Sequence, residues 1–166
     1  MVLLIDAFNV IYKFPDLEEH MHRGELVRAM RGLLQLLLDF MKAWPKPLII
    51  HLFFDGKKKP GDETKREKIS GMHVYYSHDL SADHLIKEYI KVCPSPGEIR
   101  TVSSDKDILL FAKKHRCHVQ TAEEFADWVG AALAPKKKLR PEKAANPRVS
   151  DREVEYWMEM FRGNKK

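Results

Sequence analysis

Asp6 closes the apolar run VLLID at 2–6, and Asn9 follows three residues later. A carboxylate ending a segment that reads as buried must be hydrated, paired or bound to a cation, because burying it bare is costly. Four more aspartates share that setting. Asp55 ends LIIHLFFD, Asp83 lies in SHDLSADH after HVYYS, and Asp105 and Asp107 follow the fourth run in TVSSDKD. Singly, each has a plain structural reading. Asp83 and Asp105 fall in the first turns of helices, where Ser81 and Ser104 are expected as N-caps and an acid complements the helix dipole; Asp55 before Gly56 is a turn pair. Together they place five carboxylates beyond the ends of four apolar runs. Their mutual repulsion calls for a compensating cation, and hard oxygen donors with few histidines favour Mg²⁺ or Mn²⁺. An ion held by Asp6, Asp83 and Asp105 would orient and deprotonate a water while neutralising charge on a scissile phosphate. Asp107 and Asp55 would serve a second ion or its waters. Asn9 would orient an acidic ligand or contact phosphate, and Ser103 and Ser104 would offer hydroxyls to the same pocket.

The elements that must bring these groups together are legible from periodicity. Strand-like runs occupy 2–6, 47–55, 73–77, 99–104 and 118–121, and helical patterns fill 24–43, 81–92, 105–115 and 122–134. Such alternation predicts an α/β fold with a central, mainly parallel sheet and helices on both faces. In such a sheet, ligands bind beyond the carboxyl ends of the strands, where the aspartates fall. The stretch between 47–55 and 73–77 breaks the pattern and reads as a basic loop. After Leu133 a basic, Pro-containing stretch leads to SDREVEYWMEMFRG, an amphipathic helix opened by a Ser150–Glu153 capping box. The expected organisation is a domain over 1–134, a basic linker over 135–149 and a C-terminal amphipathic helix over 150–166, whose Val154, Trp157, Met158 and Phe161 form a stripe expected to dock on the domain.

Composition limits the partners. The 166 residues carry a net charge of +5, with a sequence pI near 9.1. The positive charge is concentrated: 57–68 holds six Lys/Arg against three acids, and 136–148 holds six against one. Lys57, Lys58, Lys59, Lys65, Arg66, Lys136, Lys137, Lys138 and Arg140 are therefore the candidates for contacting a polyanion. Cys93 and Cys117 form no CxxC pair, which suits a reducing compartment. The N-terminal run contains Asp6 and lacks a basic leader and cleavage site, and 26–44 is interrupted by Arg28, Arg31 and Asp39, so neither a signal peptide nor a membrane span is expected. A cytoplasmic protein without membrane partners is the resulting expectation. His115 and His118 flank Cys117 without a second ligand cluster, which argues against zinc; His78 and His84 lie nearer the acidic edge.

The segments LLIDAFNVIYKFP, LFFDG, SADHLIKEYI, TVSSDKD and TAEEF resemble PIN-like nucleases of the NYN type, most closely the YacP-type NYN domains, over about residues 2–130. That resemblance implies a PIN-like three-layer fold, RNA as substrate, and an acidic pocket of Asp6, Asn9, Asp83 and Asp105. Some members of the family are ribosome-associated endoribonucleases acting on mRNA, which makes mRNA and the ribosome expected partners. Two departures stand out: Ala7 replaces a common Gly, and His84 follows Asp83 where a second acid is often found, leaving a second metal position one ligand short. The expected activity is metal-dependent endonucleolytic hydrolysis of RNA. The alternative is a catalytically weak or inactive RNA- or ribosome-binding module of the same fold. A haloacid-dehalogenase-type phosphatase, to which SSDKD bears a faint likeness, needs an Asp two residues after the nucleophile; position 8 is Phe.

Overall fold

The run VLLID forms the strand at the middle of the molecule because both of its faces are buried: Leu3 and Ile5 point into one core and Leu4 into another. A computed structural model describes residues 1–56, 63–135 and 149–162. In chain order the elements are β1 (Val2–Asp6), α1 (Ala7–Ile11), α2 (Pro15–His22), α3 (Leu26–Ala43), β2 (Ile49–Asp55), β3 (Lys65–Ile69), β4 (Met72–Ser77), α4 (Ala82–Val92), β5 (Ile99–Val102), α5 (Lys106–Lys114), β6 (His118–Gln120), α6 (Ala122–Leu133) and α7 (Asp151–Arg162).

Among the described residues the strands form a six-stranded sheet in the order β3-β4-β2-β1-β5-β6, parallel except for β3, which runs antiparallel to β4. From β1 the chain builds outward through β2 to β4 on one side, then returns to place β5 and β6 on the other. The topological switch point lies between β1 and β5, where the crevice of an open parallel sheet is found. On one face Ile5, Leu52, Phe54, Val74 and Tyr76 pack with α1, α3, α6 and α7; on the other Leu4 and Phe53 pack with α4 and α5.

Two local expectations are corrected and one unassigned stretch is filled. Residues 65–68, read as part of a basic loop, belong to the edge strand β3, which closes on β4 through the two-residue turn Ser70–Gly71; both turn residues have positive φ, 48° and 86°, as a tight hairpin requires. Residues 15–22, unassigned by periodicity, form α2, with Pro15 in its first turn. Asp105, not Ser104, caps α5 and accepts from the Asp107 amide at 2.8 Å. Ser81 caps α4 and the Ser150–Glu153 box forms as expected, and Thr121 and Glu124 form a second capping box at α6.

The linker reading of 135–149 falls almost wholly outside the described residues. The helix after it, α7, buries Val154 and Trp157 against the first face, while Phe54 and Tyr76 place their rings 6.4 and 6.5 Å from Trp157. Glu153 also accepts from the Ser70 amide, tying α7 to the β3–β4 turn. Trp44, partly buried, packs on Phe40 and Trp128. Among the described residues no helix is long and apolar enough to cross a membrane.

Candidate active site

At the carboxyl ends of β1 and β2, an open cleft of about 310 Å³ is lined by Asp6, Phe8, Asn9, Tyr12, Asp55, Ser81, Ala82, Asp83, Asp105 and Ile108. Four of the five predicted aspartates and Asn9 therefore meet in one space.

Asp6 lies deepest, with 9% of its surface exposed. It is carried there by the last residue of a strand buried on both faces, and α1 starts at once, returning Asn9 over the carboxylate. Both the Asn9 amide and the Ser103 hydroxyl donate to Asp6 Oδ2, the latter at 3.0 Å. Ser103 in turn accepts from the Asp105 amide at 3.0 Å, so one buried hydroxyl joins the ends of β1 and β5. Burial pushes the Asp6 carboxyl up to about 6, the two hydrogen bonds oppose that rise, and the charges of Asp55 and Asp105 add to it.

A carboxyl whose folded pKa lies above its unfolded value favours folding in its protonated form. The stabilising contribution is complete below about 4 and is lost as pH rises through about 6. Carbon-detected NMR titration of Asp6 is expected to give a midpoint near 6. In Ser103→Ala, which removes a donor to the charged form, that midpoint moves higher; an unshifted midpoint would exclude Ser103 as a tuning group.

Asp55 is held by the corner between β2 and β4. Its Oδ1 accepts from Ser77 Oγ and from the Ala82 amide, each at 3.1 Å, while the Gly56 amide donates to the same Ser77 hydroxyl at 3.1 Å. A side chain at Gly56 would put Cβ 2.1 Å from the Ser77 carbonyl oxygen, so the corner closes only with glycine. Asp83 stands in the first turn of α4 and Asp105 at the cap of α5, so the capping and cleft-lining readings hold together.

Asp107 departs from expectation. It does not line the cleft, and its carboxylate, 74% exposed, pairs with Lys87, whose Nζ also lies 3.0 Å from Asp83 Oδ1. His78 and His84 do not line the cleft either; His78 is buried edge-on against Tyr76. The ready-made cation cage expected of the five aspartates is also absent: among the described residues no three His, Cys, Asp or Glu side chains are gathered tightly enough to hold an ion as they stand. Like charges separate, and here Asp83 turns toward Lys87, while Asp55 and Asp105 each spend one oxygen on backbone amides. The donor set still fits a hard divalent cation. It offers four carboxylates and an amide on one cleft, with the deepest carboxylate destabilised by burial and by its neighbours in a way that a cation would relieve.

Sequence reasoning missed Lys87, Ser77 and Tyr12. Lys87 was within reach, since Asp83 and Lys87 stand at i and i+4 on a predicted helix. Tyr12 follows Phe8 by one turn of α1 and leaves 44% of its surface exposed at the cleft. Of the predicted polyanion contacts, Lys65 and Arg66 lie exposed on β3, with the Arg66 guanidinium 5.7 Å from the Tyr75 ring centroid. Lys57, Lys58, Lys59, Lys136, Lys137, Lys138 and Arg140 lie outside the described residues.

A family model described as a YacP-like NYN domain matches residues 3–162. The fold is similar to the crystal structure of Rae1 (YacP) from Bacillus subtilis, at 18% identity and a TM-score of 0.58, covering 80% of this chain and 75% of that one. A tryptophan-to-leucine mutant of the same protein gives 16% identity and a TM-score of 0.59, with 79% and 76% covered. At these identities the structural likeness concerns fold alone. No curated protein matches the chain significantly.

Proposed function

The chain belongs to the YacP-like NYN domain family, and from that premise we propose that it is a metal-dependent endoribonuclease that hydrolyses RNA phosphodiesters, with mRNA, including mRNA on the ribosome, as substrate. The observation that carries this reading is the buried Asp6 at the end of β1, in one cleft with Asp55, Asp83 and Asp105. In this proposal 1–134 is the nuclease domain, 135–149 a basic linker and 150–166 a helix that braces the domain.

Asp6, Asp83 and Asp105 would hold Mg²⁺ or Mn²⁺, with Asp55, which lines the same cleft, available to a second ion or to waters of the first. When bound, the ion supplies a water acidified for attack and neutralises charge on the scissile phosphate. The chain's own groups do the rest. Ser103 and Asn9 fix one oxygen of Asp6 and so orient the carboxylate, and Asn9 faces the cleft, where its amide can meet a phosphate oxygen. Water adds to phosphorus, the bond to the ribose 3′ oxygen breaks, and that oxygen takes a proton, leaving a 5′-phosphate and a 3′-hydroxyl. Lys65 and Arg66, with the basic runs 57–59 and 136–140, hold the RNA backbone by charge.

The test is cleavage of single-stranded and ribosome-bound mRNA with Mn²⁺ or Mg²⁺. EDTA-sensitive cutting with 5′-phosphate products is expected, and its absence in both contexts would overturn the reading. In the double variant Lys65→Ala, Arg66→Ala, the slope of log affinity against log salt is expected to become shallower by about 1.4, two single-strand phosphate contacts' worth. A second reading, a binding module without turnover, is favoured by one observation: Lys87 already partners Asp83. RNA binding that survives both chelation and Asp6→Asn, without cleavage, would select it.

A further inference from the structure

Lys87 sets a positive charge beside the acidic cleft, against Asp83, which lines it. It lies a turn after Asp83 on α4 and reaches across to Asp107 on α5, so that a single ammonium joins two carboxylates from neighbouring helices. Its side chain is only 19% exposed, and its Nζ lies 5.6 Å from the centroid of Phe111, also on α5. Both carboxylates raise the ammonium above the ordinary lysine range, Asp107 the more strongly, so it stays charged at any working pH.

We propose that Lys87 is a built-in cation standing where a second divalent ion would bind, so that the cleft takes one Mg²⁺ or Mn²⁺ per chain and not two. The inference rests on the metal-dependent reading above and specifies it. Two-ion phosphodiesterases place their ions a few ångströms apart, each balanced by carboxylates. With Asp6, Asp83 and Asp105 on the first ion, the carboxylates left for a second are Asp55 and Asp107, with Asp83 the one able to bridge both. Asp107 is turned out of the cleft onto Lys87, and Asp83 shares the same ammonium. Asp55 has one oxygen committed to Ser77 and Ala82. A second dication would have to displace a fixed positive charge from between its own ligands. His84, next to Asp83, supplies no replacement carboxylate. The ammonium in turn aims the Asp83 carboxylate, which makes Lys87 a positioning residue.

The measurement is Mn²⁺ stoichiometry by calorimetry together with the electron paramagnetic resonance spectrum of the bound ion. Wild type is expected to bind one Mn²⁺ with the spectrum of an isolated ion. Lys87→Met, which keeps the stem and removes the charge, is expected to bind a second Mn²⁺ coupled magnetically to the first, and Lys87→Arg to return to one. Two ions in the wild type, or one in a folded Lys87→Met, would overturn the proposal. Should Lys87→Met fail to fold, Asp107→Asn at an exposed position decides. Mn²⁺ stoichiometry and affinity unchanged to within about 3-fold support the proposal, whereas a loss of about tenfold or more, as when a metal's supporting group is removed, would make Asp107 part of an ion site and overturn it. Failure of the two readings is distinguishable. A wild type that binds no Mn²⁺ removes the metal-dependent reading and this one with it, while two bound ions with EDTA-sensitive cleavage remove this one alone.

Discussion

Asp6→Asn is expected to lower metal-dependent RNA cleavage by about 10³-fold, equivalent to about 4 kcal/mol of lost transition-state stabilisation, while making the metal-free protein more stable at neutral pH. The two effects have one cause. Asp6 sits at the bottom of the cleft with its carboxyl pushed up to about 6, so its ionised form at pH 7.5 is held against the preference of the fold. Replacing it with the neutral isostere removes that cost, which is at most roughly 1–3 kcal/mol from the size of the pKa change, and the melting temperature should rise by a few degrees. At pH 4 the wild-type carboxyl is protonated and the advantage disappears. Saturating Mn²⁺ should reverse the order at pH 7.5, because the ion stabilises only the form that binds it. Melting curves at two pH values, with and without Mn²⁺, read all of this beside the cleavage assay. A variant that still cuts at near wild-type rate would remove Asp6 from the proposed machinery. One that loses activity and stability together would point to a structural role instead. A gain in stability with a loss of activity is the pattern of a site that trades one for the other.

Trp157→Ala is expected to destabilise the protein by about 3–5 kcal/mol, the range for removing a buried aromatic from a packed core. Trp157 is 3% exposed and its ring lies beside Phe54 and Tyr76, on strands β2 and β4. Those two residues immediately precede Asp55 and Ser77, the corner that holds one of the cleft carboxylates. The helix α7 is thus positioned to support the site through β2 and β4, and its Glu153 steadies the Ser70–Gly71 turn of the hairpin carrying Lys65 and Arg66. Urea unfolding supplies the measurement. A shift below about 1 kcal/mol, the scale of a surface substitution, would mean that α7 adds little to the core. At temperatures where the variant remains folded, its residual cleavage shows how far the loss of packing reaches Asp55.

Much of this molecule can be read from the chain before any contact is known, because strands, helices and caps report local periodicity and local hydrogen bonding. The alternation of apolar runs and amphipathic stretches yields the α/β class, and aspartates ending successive strands must share an edge when those strands run parallel. Asp6, Asp55, Asp83 and Asp105 meet in one cleft for that reason. The Ser70–Gly71 hairpin went unread, because the surrounding lysines masked a strand whose residues, Ile69 apart, mostly face solvent. What the tertiary structure alone decided is which polar groups meet across different elements. Ser103 rather than Ser104 reaches Asp6 because β5 lies beside β1, 97 residues away in sequence. Asp107 leaves the group because α4 packs against α5 and presents Lys87, and no spacing along the chain encodes that approach. Side-chain pairing across elements depends on distances set by the packing of the whole core, and that packing is a collective property with no local signature.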